Sequence, residues 1–249
     1  MKPLRTIGLA AVLAAIYPLG ANAELASCRT LPDYAALKAA LTSAVADEAS
    51  GLDFQMWATI VDRDGIVCAV AFSGSDRGSQ WPGSRVISAQ KANTANSFSL
   101  NGLALSTANL YSAVQPGGSL YGLQASNPVD TAAAYRGPSR FFGTANDPLV
   151  GEKIGGVNVF GGGLALYDAY GKVVGAVGVS GDTSCADHMI GWRVRTALGL
   201  DFLAGKGVSG DAARPDNIIY DIAGGVSASG FGHPTCINTG DQTLLPAVQ

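Results

Sequence analysis

The sequence predicts an α+β protein in which an antiparallel sheet is covered by helices. Three observations carry that prediction: a stretch near residue 40 with apolar residues at helical spacing, two pairs of β-rich runs folded back about turn residues, and further helical stretches between and after those pairs. The order helix, hairpin, helix, long irregular segment, hairpin, helix makes each strand pair local and leaves the helices to cover the sheet.

Taken in order, "LPDYAALKAALTSAVADEA" places Tyr34, Leu37, Leu41 and Val45 on one face, and Asp33 after Pro32 is its expected N-cap. "DFQMWATIV" and "IVCAVAF" flank the turn "DRDG" as a hairpin. "SRVISAQKANTANSFS" predicts a second helix starting at Ser84. Residues 101–156 are rich in Gly, Pro, Ser and Asn and lose periodicity, so they read as a long loop. "LALYD" and "KVVGAVGVS" flank "AYG" as a second hairpin, and "CADHMIGWRVRTALGL" closes the regular part with a third helix. Residues 205–249 form a tail of little regular pattern, which needs tying down.

Lys2 and Arg5 precede the apolar run "IGLAAVLAAIYPLG", and "ANA" at 21–23 offers small residues before Glu24. This pattern predicts a cleaved signal peptide over residues 1–23 and a periplasmic or secreted mature chain, 24–249, forming a single domain. Cleavage removes two positive charges and no negative ones, moving the net charge from −3 to −5. A chain of that charge, with no run of Lys and Arg, lacks the basic footprint of a nucleic-acid binder. Nor does the mature chain hold an apolar run that would keep it in a membrane.

Four cysteines, Cys28, Cys68, Cys185 and Cys236, form an even set in an exported chain, so two disulfides are expected, with three possible connectivities. Pairing Cys185 with Cys236 would pin the tail to the last helix, leaving Cys28 with Cys68. No CxxC pair is present, which argues against a zinc site or a thioredoxin-like centre.

"ATIVDRDGIVCAVAF", "SRVISAQKANTA" with Lys91 and Thr94, and "GGGLALYDAYGKVVGAVGVSGDTSCADH" together resemble the GlcG/HbpS family of haem-binding proteins, over about Leu31 to Leu203. The resemblance implies a profilin-like α-β-α sandwich with an antiparallel sheet of about five strands, haem as the cofactor, and a homo-oligomer. The loop 101–156 and the cysteine-bearing tail set this chain apart from short members as a long variant.

His188 lies three residues after Cys185, and His233 three residues before Cys236. The expected bridge brings the chain's two histidines into one neighbourhood, where they are candidate haem-iron or metal ligands. The bland alternative is that each imidazole only bonds a loop carbonyl. Trp192 with Arg193 and Arg195, or Lys91 with Arg85, are candidates for the haem face and its propionates; otherwise they are core aromatics and solvated charges. "FGGG" at 160–163 either brings backbone N–H groups to an anion or makes a tight bend before a strand.

Haem binding or haem sensing is therefore the leading functional expectation. An alternative is an enzyme or accessory protein acting on a small oxygenated metabolite, with Asp187, Thr183 and Lys91 as acid–base groups. A structural partner of a redox system is the third class. No GxSxG elbow supports serine hydrolysis.

Overall fold

The computed structural model describes residues 27–249; the leader expected at 1–23 lies outside the described residues. Helix α1 spans Tyr34–Ala46, with the Asp33 carboxylate accepting from the Ala36 N–H at 2.9 Å, the predicted cap. Strands β1 (Trp57–Asp62) and β2 (Val67–Phe72) form the first hairpin, and helix α2 (Ser84–Phe98) begins at the predicted residue. Strands β3 (Gly163–Tyr167) and β4 (Val173–Ser180) form the second hairpin, followed by helix α3 (Ser184–Ala197), capped by Thr183.

The two hairpins join through β1 and β4, giving one antiparallel sheet in the order β2-β1-β4-β3. Helices α1 and α3 pack on one face and α2 on the other. Strand alternation explains why both faces are apolar. Ala58 and Ile60 of β1 look toward α1 and α3, while Trp57 and Val61 look toward α2. Thr59 shares the α2 side and bonds Ser88 there, Oγ to Oγ, at 2.8 Å. This α-β-α arrangement is the expected fold class.

The sheet has four strands where about five were expected. At the outer edge of β2, Val67 exchanges backbone hydrogen bonds with Gly151 and Glu152 and stops there. At the outer edge of β3, Tyr167 makes one parallel bridge with Asp201. Each edge is thus covered by a single contact. The segment beside β2 reads "NDPLVGEKIGG", whose Pro and Gly cannot sustain a ladder.

Residues 101–156 contain only short 3-10 turns and two four-residue helices, Leu123–Ser126 and Thr131–Ala134. They are nevertheless ordered against the α2 face, where Ala133, Ala134, Leu149 and Ile154 join its core. The tail is tied down as well. Both expected disulfides are present, Cys28–Cys68 and Cys185–Cys236. Leu245 and Val248 enter the α1/α3 core, and Trp192 donates its indole N–H to the Pro246 carbonyl at 3.0 Å. Arg195 makes a fully buried two-pronged pair with Asp216.

Candidate functional site

The Cys185–Cys236 bridge does bring His188 and His233 together, close enough for a charge on His233 to disfavour one on His188. It also shuts them in. His188 has no exposed surface, and neither ring nitrogen makes a hydrogen bond, although Asn217 lies beside the ring. Burial lowers its pKa to about 3, so the ring is neutral. His233 is 2% exposed, and both its nitrogens are taken. Its Nδ1–H faces the Pro234 carbonyl at 2.7 Å, which leaves Nε2 to accept from the Ser184 hydroxyl at 2.8 Å. Burial holds its pKa at about 4. A planar macrocycle cannot reach either nitrogen without opening the fold, so the expectation of histidine ligands meets a closed cluster.

The cations expected to meet propionates are also committed elsewhere. Lys91 is 1% exposed and donates to Asp187 at 2.6 Å and to the Val179 carbonyl at 3.1 Å. Burial pushes the Lys91 pKa down and raises that of Asp187 to about 6, with the ion pair opposing both shifts. The other Asp187 oxygen accepts from the N–H groups of Gly181 and Asp182, fixing the bend between β4 and α3. Arg85 pairs with Asp147, Arg193 with Glu48 at 3.2 Å, and Arg195 with Asp216. Trp192 is a core residue with its N–H satisfied. The acid–base set of Asp187, Thr183 and Lys91 is likewise used internally, because Thr183 accepts from the Ala186 N–H. Amphipathic spacing marks a helix face as buried, but it cannot say that a buried cation has found its carboxylate.

The glycine run is a packing device. A Cβ at Gly161 would collide with the Ser184 carbonyl and crowd His188, and one at Gly163 would strike Thr107 and the Lys91 backbone. The run lets the chain pass between α2 and α3, the bend reading rather than the anion cradle.

An open site exists elsewhere, where the β1/β2 hairpin meets the start of α2. Trp57 opens β1 directly opposite Phe72 at the end of β2, and the two rings meet edge to face at 5.3 Å. The Trp57 indole N–H donates to the Trp81 carbonyl at 3.1 Å, and Trp81 in turn packs edge to face on Phe54 at 5.3 Å. Phe142 arrives from the long segment, with the Arg85 guanidinium 3.6 Å over its ring. Gly143, at φ 72°, follows it because a Cβ there would run into Phe72 and Trp57. Asp147 fastens the segment: its carboxylate takes both Arg85 and the N–H groups of Gly143 and Leu149.

Trp57 and Phe142 border a cavity of about 620 Å³ lined chiefly by them with Arg77, Pro82, Gly83 and Tyr135. That volume is within the range of roughly 300–1,000 Å³ usual for cofactor sites. Arg77 is exposed and makes no ion pair or hydrogen bond among the described residues. Gly83 is the N-cap of α2 and supplies no side-chain cap; the Trp81 carbonyl takes the Ser84 N–H at 3.0 Å instead. The sequence reading missed this site because its walls come from four separated segments with no shared spacing. The one local trace is an aromatic at each open end of the hairpin, Trp57 and Phe72.

A family model described as "Haem degrading protein HbpS-like" matches residues 35–193. The chain belongs to that family. Comparison with curated proteins gives no significant match. Among solved structures, this HbpS-like chain is similar to Klebsiella pneumoniae protein ORFY, at 24% identity and TM-score 0.44, covering 77% of this chain and 98% of that one. It is also similar to a PduOC:haem complex, at 20% identity and TM-score 0.45, covering 74% and 96% of the two chains. Streptomyces reticuli HbpS, as a double mutant, matches at 16% identity and TM-score 0.38, covering 80% and 98%. The family match spans all but the first residue of α1, both hairpins, α2 and most of α3. The tail of this HbpS-like protein lies beyond it.

Proposed function

We propose that this protein is an exported haem-binding protein and that haem occupies the aromatic cleft. The observation that carries the proposal is the cleft itself: an aromatic-walled cavity of about 620 Å³, open to solvent, in a chain of the HbpS-like family. Bound haem would supply a redox-active iron in a flat conjugated ring. Phe142 and Tyr135 offer apolar surface to that ring above a floor closed by the buried Trp57, and burying it against them is favourable by about 25 cal/mol per Å² of apolar surface removed from water. Arg77, exposed at the rim, offers positive charge to its carboxylates. The histidine cluster offers none of these, since its nitrogens are enclosed.

Export is part of the same reading, supported by the tripartite leader pattern at 1–23 and by two disulfides among the described residues. So is assembly into a homo-oligomer, which size-exclusion chromatography of the mature chain would report.

Gly83 provides the test. Its φ of −64° suits any residue, and a Cβ there would meet nothing within 4 Å. Gly83→Leu therefore places a side chain at the mouth of the cleft without disturbing the fold. Titration with haemin, followed by Soret absorption and tryptophan quenching, is expected to show binding in the parent and at least about tenfold weaker binding in Gly83→Leu, a difference of about 1.4 kcal/mol. Equal binding by a folded Gly83→Leu would place haem elsewhere.

A further inference from the structure

Resting on the reading that haem occupies the cleft, we propose that Tyr135 is its iron ligand, through the phenol oxygen, with Arg77 holding a propionate. Three lining side chains carry a donor atom an iron(III) could use: Asp76, Ser139 and Tyr135. Asp76 is engaged in its own turn, accepting the Gly78 N–H at 2.7 Å. A neutral serine hydroxyl is a weak donor beside a phenolate, and phenolate ligation of haem iron is established chemistry.

Tyr135 combines a fixed backbone with a free phenol. It directly follows the four-residue helix Thr131–Ala134, which the Asp130 side chain caps. Its own N–H bonds the Thr131 carbonyl at 3.2 Å. Ala134, just before it, is fully buried, and its carbonyl accepts from Arg85 Nη1 at 2.9 Å. The Arg85–Asp147 pair that positions Phe142 therefore also sets the place of Tyr135. Beyond that anchor the side chain is 62% exposed, and its hydroxyl has no hydrogen-bond partner among the described residues. A tyrosine kept at the mouth of an apolar cavity with its oxygen unspent is a ligand held ready. On binding, the phenol O–H bond breaks, the oxygen forms a bond to iron(III), and the proton passes to solvent water; no electron is transferred. Arg77, also unpaired, offsets the charge of a propionate at the same rim.

The full mature chain loaded with haemin tests this by visible absorption and resonance Raman spectroscopy. The parent is expected to show iron–phenolate vibrations. Tyr135→Phe is expected to lose them and to bind about tenfold more weakly, or about 1.4 kcal/mol, while Tyr135→His binds with an imidazole-type spectrum and His233→Ala keeps the parental one. Tyr135 is exposed, so neither substitution threatens the fold. A Tyr135→Phe protein with the parental spectrum, while Gly83→Leu still blocks binding, overturns the ligand assignment alone. Absence of haem binding in the parent, or its persistence in Gly83→Leu, overturns the cleft reading and this assignment with it.

Discussion

His188 shows what a single enclosed polar group does to a fold. Both ring nitrogens lie in the interior with Asn217 beside the ring, and burial disfavours the charged form. Its folded pKa of about 3 and that of His233, about 4, both lie below the unfolded value of about 6.5. As pH falls below about 6.5 the unfolded chain takes up protons that the folded chain refuses, and each histidine then removes about 1.4 kcal/mol of stability per pH unit. Asp187 acts in the opposite sense. Its folded pKa, raised to about 6, gives stability that is complete below its unfolded value and lost as pH rises through 6. It offsets one histidine over that interval, and the net slope below pH 6 is that of one histidine. His188→Leu is expected to flatten most of the loss between pH 6 and 4. Urea unfolding at pH 7 and pH 4.5 measures this, and equal pH slopes for parent and variant would refute it.

At the scale of elements, the contact that shapes the sheet is α2 on β4. The stripe Ser88, Ala89, Ala92 and Ala95 is small, and it meets Gly178 so closely that a Cβ at this glycine would overlap the Ser88 carbonyl and the Ala92 amide. Close approach seats Lys91 beside the end of β4, where it bonds the Val179 carbonyl. Gly178→Ala is expected to destabilise by about 1–3 kcal/mol through forced separation of helix and strand; a shift in the denaturation midpoint below the equivalent of about 0.5 kcal/mol, the size of an ordinary surface substitution, would show that the helix yields freely. The elements themselves were readable in "SRVISAQKANTA" and "KVVGAVGVS" because helix and strand periods are local properties. The pairing of Lys91 with Asp187 was not, because 96 residues separate them and only the seating of α2 on β4 brings them together.

For the whole molecule, the question is what the tail contributes. Cys185–Cys236, the Arg195–Asp216 pair and the Leu245/Val248 plug fasten it over α3, on the face of the sheet opposite α2. The aromatic cleft lies at the start of α2, built from β1, β2 and the long segment, and no tail residue lines it. Cys236→Ser is therefore expected to cost about 4 kcal/mol on the loop-entropy account, read as a lower melting temperature and faster proteolysis of the tail, with haemin affinity unchanged. A variant that lost haem binding while still folded would return the ligand to the histidine cluster.

The sequence by itself determined the order of helices and hairpins, the cap at Asp33, the start of α2 at Ser84 and the even cysteine set, since each follows from spacing within a few residues or from counting. It also placed the two histidines together, through the bridge that the tail requires. Tertiary structure decided which of those residues remain free to bind. Lys91, Arg85, Arg193 and Arg195 each met a carboxylate distant in the chain, and the histidines were enclosed. Trp57, Tyr135 and Phe142, which no motif connects, converged around one opening. A buried charge requires a partner and an apolar wall requires neighbours, and both are supplied by segments whose distance in sequence carries no information about their distance in space.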